Sequence, residues 1–125
     1  MPFEYEREDA RRRLVVTVDG PFQTSDMLAC IERQRVEGTW TYGVLYDLRR
    51  MTGTATFAEL REIMGQATSH PPTERSRGPV AILATDPGVY TTACRYAALG
   101  RSRLTIEVFR DLADADRWLT AETSQ

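Results

Sequence analysis

The chain has 125 residues, 42% of them hydrophobic and 27% charged, which is the makeup of one globular domain with its own core. A formal net charge of −2 and a pI near 5.4 supply no basic field for nucleic acid or an anionic membrane surface. The apolar runs are too short to span a bilayer and the N-terminus is acidic rather than leader-like, which predicts a cytoplasmic protein without a membrane span.

The segment "FEYERE" alternates apolar or aromatic residues with glutamate and predicts a short strand. Glu4, Glu6 and Glu8 then share one face, a charged edge that discourages strand addition. "DARR" turns the chain into "RLVVTVDG", where Leu14, Val16 and Val18 share a face. After "PFQTS", Thr24 or Ser25 is placed to cap a helix carrying Met27, Cys30 and Ile31, and Gly38 is placed to end it. "YGVLYDL" predicts the next strand. The loop "RRMTGTAT" leads from it into the helix "FAELREIMGQA", with Phe57, Leu60, Met64 and Ala67 on one side.

"TSHPPTERSRGP" is a long polar loop containing His70, Arg75 and Arg77, with the arginines read as exposed. "VAILAT" is continuously apolar, as for a strand covered on both faces. Asp86-Pro87 pairs a capping carboxylate with a proline in the first turn, and Val89, Ala93, Tyr96 and Ala97 face the core. "LTIEVF" alternates again. Asp111 is placed to cap a last helix with a Leu112, Ala115, Trp118 and Leu119 stripe. The order β-β-α-β-α-β-α-β-α predicts a single α/β domain over 1–125: an N-terminal β-hairpin, then four βα units in a mostly parallel sheet. The patterning predicts buried central strands and outer strands with a partly polar face, a surface on which a homodimer could form.

"VLYDLRR", "GPVAILATDPGVYTTACRYAALG" and the ending "IEVFRDLADADRWL" resemble the STAS-like fold, and within it the SpoIIAA-like bacterial branch. The resemblance runs over nearly the whole chain. It implies a regulatory module, and in the anti-sigma-factor antagonists sharing the fold a serine after the third strand is phosphorylated by a partner kinase. Asp47 and Leu48 match the strand end of that pattern and Thr56 falls near the acceptor position. Ala55 replaces the preceding aspartate, and no Ser-Gly follows.

The residues allow two readings of that loop. Thr56-Phe57-Ala58-Glu59 is a capping box, in which threonine oxygen and glutamate carboxylate each accept an amide hydrogen. The same helix start offers free amides to an anion, and ligands of open parallel sheets bind beyond the carboxyl ends of strands. The expected site is therefore the rim after the third and fourth strands: Asp47, Thr54, Thr56, Asp86 and Tyr90, with Thr56 and Thr54 as the available phosphoacceptors.

The chemical inventory around this rim is narrow. All sixteen basic residues are arginine, so no lysine serves a Schiff base or a Walker loop. His70 is the only histidine and has no companion for a zinc site; no motif requires a metal or other cofactor. Cys30 and Cys94 lack CxxC spacing and read as reduced packing residues. The leading expectation is a non-enzymatic bacterial regulatory module that binds a protein partner or small ligand at this rim. A carrier of a small apolar ligand is the first alternative and requires an enclosed pocket lined by Tyr, Met and Phe. An enzyme using loop carboxylates is the second, with a sparse acid–base set to draw on.

Overall fold

The computed structural model describes residues 3–69 and 77–123. Strands β1 (Phe3–Glu8), β2 (Arg13–Pro21), β3 (Gly43–Thr52), β4 (Val80–Leu83) and β5 (Ile106–Phe109) form one five-stranded sheet in chain order. β1 and β2 are antiparallel and the remaining pairs parallel, so the hairpin and the four βα units stand as the sequence predicts. The helices are α1 (Thr24–Glu37), α2 (Phe57–Ala67), α3 (Pro87–Gly100) and α4 (Leu112–Thr123). His70 and Arg75 lie outside the described residues.

Strand alternation sorts the core into two layers. Leu14, Val16, Val18 and Val44 point to the side covered by α1, α2 and α3, as do Val80, Ile82 and Ile106. Leu45, Ala81 and Leu83 point to the other side, where Ala115 and Leu119 of α4 lie on them. β4 is buried along its whole length, which accounts for its unbroken apolar run. Beyond the reach of α4, Glu4 and Glu6 are exposed and Thr17 is half-buried, the polar outer face expected of the hairpin.

The ends of the elements have local causes. Asp86 Oδ2 accepts hydrogens from the Gly88 and Val89 amides at 3.0 and 3.1 Å, with Pro87 opening α3. Asp111 Oδ1 accepts from the Asp114 amide at 3.1 Å at the start of α4. α1 ends at Gly38, whose φ of 73° sends its amide back to the Arg35 carbonyl. At Gly78 a Cβ would collide with the Thr41 and Tyr42 carbonyl oxygens, so only glycine lets the chain pass under that turn into β4.

Several local expectations need correction. The cap position of α1 is Gln23, without a side-chain bond, because the Thr24 hydroxyl instead donates to Glu59 Oε2 at 2.8 Å and ties α1 to α2. β3 does not stop at Leu48. It runs on through "RRMT", paired with β2 after a register shift between Thr17 and Asp19. Phe57 and Leu112 are 60% and 43% exposed rather than core, because each opens a helix beyond the reach of the sheet. Arg77 is only 8% exposed, drawn in by partners described below.

Candidate functional site

Thr56 forms the capping box in full. Its Oγ1 accepts the Glu59 amide at 3.2 Å, and Glu59 Oε1 accepts the Thr56 amide at 2.8 Å. The Thr56 amide first, and then the Thr24 hydroxyl, hold the Glu59 carboxyl below its ordinary range. A negative side chain therefore already occupies the anion-attracting end of α2. Thr54 is exposed, and its methyl lies 3.9 Å from where a Cβ at Gly88 would stand, which puts it beside Asp86 at the start of α3. Tyr90, half-buried on α3, carries the Arg110 guanidinium 4.0 Å above its ring.

Asp47 stands apart from this group. Alternation puts it with Leu45 on the α4 side of the sheet, next to the groove lined by Arg49, Arg110 and Asp116. Partial burial pushes its carboxyl up, but the Arg49 side chain and amide outweigh that and hold it below the usual carboxylate range. Arg49 Nε and Nη2 donate to its two oxygens at 3.0 and 2.8 Å. The structure thus joins Thr54 to Asp86, leaves Thr56 in its own cap, and sends Asp47 to the opposite face. Among the described residues, no group of three or more His, Cys, Asp or Glu side chains gathers as metal ligands would. The Cys30 thiol is pushed up to about 12, chiefly by burial, and is unreactive at neutral pH.

Two features of the site were not read from the sequence. The first is the exposed Phe57, beside a groove formed by Ala55, Leu60, Ala98 and Leu99 and flanked by Arg95. The recognised capping box was the available signal, since it makes Phe57 the first helical residue, at the margin of the stripe. The second is a pocket of about 70 Å³ between the sheet and helices α1, α2 and α3. Phe22, Met27 and Met51 line it towards the carboxyl ends of the strands, and Tyr46, Ile63 and Tyr96 line it deeper.

Behind the deep end lies a buried polar cluster. Arg77 Nη1 donates to Gln34 Oε1 at 2.7 Å, Gln34 Nε2 donates to the Tyr46 hydroxyl at 3.1 Å, and Arg77 Nη2 reaches that hydroxyl at 3.4 Å. The Trp40 ring lies 4.6 Å from the guanidinium. Among the described residues, no carboxylate pairs with Arg77; the neutral groups meet its Nη1 and Nη2, and its buried Nε has no hydrogen-bond partner there. Burial pushes the nearby Tyr96 phenol up, so it stays neutral.

No family model matches the chain, and no curated protein matches it at a significant level. Among solved structures it is similar to the anti-sigma factor antagonist SpoIIAA in its unphosphorylated form. The identity is 13% and the TM-score 0.51, over 93% of this chain and 96% of that one. At that identity the likeness speaks for architecture alone. The chain therefore has the fold of SpoIIAA, the STAS fold, over nearly its whole length.

Proposed function

We propose that the chain is a non-enzymatic regulatory module that binds a protein partner at the carboxyl-end rim of its sheet, around the start of α2. The observation that carries this reading is Phe57: an aromatic ring 60% exposed to water, beside an apolar groove with Arg61 and Arg95 at its margins. Exposed aromatic and arginine side chains around a small apolar groove are the usual anchors of a partner surface. The STAS fold supports the reading by analogy, since SpoIIAA is described as antagonising another protein, an anti-sigma factor.

Thr54, Asp86 and Tyr90 flank this surface, and Asp47 with Arg49 forms a separate rim on the α4 side. A phosphate on Thr54 would change the surface charge without breaking a bond of that side chain described above. On Thr56 it would have to displace the Glu59 carboxylate from the helix start. Thr54 is thus the freer acceptor of the two.

The test compares partner capture by cross-linking in cells of the natural source for the native chain, Phe57→Ser, and Val36→Ser as a control. Val36 is 76% exposed and lies near the opposite end of the molecule, in the last turns of α1. Both substitutions should leave stability within about 0.5 kcal/mol. Phe57→Ser should lose a partner that the native chain and Val36→Ser retain; equal capture by all three would end this reading.

A further inference from the structure

The pocket beneath the three helices is unaccounted for by a surface centred on Phe57; the two share only Leu60. We infer that this pocket is a binding site for a small, wholly apolar molecule, of the size of one aromatic ring or a short branched hydrocarbon chain. The inference stands whether or not a protein docks at Phe57.

Two of its three lining hydroxyls are already engaged, and the third belongs to Tyr96. The Tyr46 hydroxyl is bonded by Gln34 and Arg77, and the Thr92 hydroxyl donates to the Gly88 carbonyl at 3.0 Å. A buried water needs about two to four hydrogen-bond partners, and the engaged hydroxyls make this a poor place for one. Apolar surface left in such a place gains by contact with an apolar guest. At about 10–15 Å³ per water-sized group, 70 Å³ admits roughly five to seven such groups, which sets the guest's size.

The walls suit a guest rather than a packing fault. They come from α1, α2, α3 and the sheet together, so an occupant touches every layer of that face at once. On α3 the space exists because Ala93 and Thr92 are small; a leucine at either position would occupy it. Met27 and Met51 line the carboxyl-end half, and unbranched thioether side chains re-pack around guests of differing shape. A charged guest finds nothing to meet it, since the Arg77 guanidinium lies behind Tyr46 and Gln34.

The experiment is a titration of the methyl-labelled chain with toluene, followed by NMR, with benzoate as the charged comparison. Toluene should produce saturable shifts at the methyls of Met27, Met51, Ile63 and Ile82 with a dissociation constant of about 0.1–1 mM, and benzoate none. Ala93→Leu, which fills the pocket, should weaken toluene binding by roughly tenfold or more while raising the melting temperature. Ile82→Val removes one methylene from the wall, preserves the fold, and should bind toluene at least as tightly as the native chain. Shifts that do not saturate, shifts spread over surface methyls, or undiminished binding by folded Ala93→Leu would each overturn the inference. Benzoate binding as tight as that of toluene would overturn its wholly apolar character.

Discussion

The two faces of the sheet are covered in different ways. On one face α4 alone lies across β3 and β4, and Ala115 and Leu119 are fully buried against Leu45, Ala81 and Leu83. Arg13, 3% exposed on β2, fastens that helix by donating to Asp116 and, at 3.1 Å, to the Thr120 hydroxyl. On the other face three helices share a wider and twisted surface, and a pocket remains where they converge. The difference is one of geometry: one helix can follow one strip of a twisted sheet closely, whereas three helices also have to fit one another. The strip under α4 is therefore packed closely against its helix, while the other face keeps a pocket among its three helices.

Substitutions can break this comparison or sharpen it. The largest effect is expected for Leu119→Ala, at about 4 kcal/mol, against about 2 kcal/mol for Ile63→Ala beside the pocket, where contacts are already missing on one side. Urea denaturation measures both, and equal losses would erase the distinction between the faces.

Asp116→Ala comes next. It strands the buried Arg13 guanidinium and should cost about 2 kcal/mol, below the usual cost for a fully buried pair because Asp116 is half-exposed. The Arg13 bond is the chief cause that holds the Asp116 carboxyl below its ordinary 3.8. A depressed carboxylate stabilises the fold above its unfolded pKa and loses that contribution as pH falls through the folded value. The stability gap between the native chain and Asp116→Asn should accordingly be full at neutral pH and shrink below pH 3.8; a gap independent of pH would remove the ion pair as its cause.

The smallest effect belongs to Thr56→Ala, about 1 kcal/mol from loss of the cap, with Thr56→Ser close to native. Thermal melts of the two variants decide it. A Thr56→Ala variant as stable as the native chain would mean that the box contributes nothing.

Much of the fold was legible because its causes are local. The alternation of Leu14, Val16 and Val18, the continuous run of Val80 to Leu83, the Asp86-Pro87 start and the Thr56/Glu59 box each act over a few residues. The rest depended on residues distant in the chain. Arg77 reads as a loop charge until Gln34, Tyr46 and Trp40 arrive from elsewhere to enclose it. "RRMT" reads as loop because its pairing with β2 depends on a register shift that no local pattern announces. Asp47 reads as one group with the threonines because all follow the same apolar run, whereas strand alternation turns its side chain towards α4. The pocket is legible only as space between side chains, so no single segment contains it.

Strand order that follows chain order has an entropic consequence for the two ends of the chain. Each parallel strand joins the one laid down before it, as Leu14 of β2 with Val44 of β3, and closes a loop of moderate length. The Arg13–Asp116 pair instead spans 103 residues and draws the last helix back to the second strand. Because closure entropy grows only with the logarithm of length, a loop about three times longer costs just about 1 kcal/mol more to close. The last helix, through one buried arginine, thus ties the end of the chain back to the second strand at little added entropic cost.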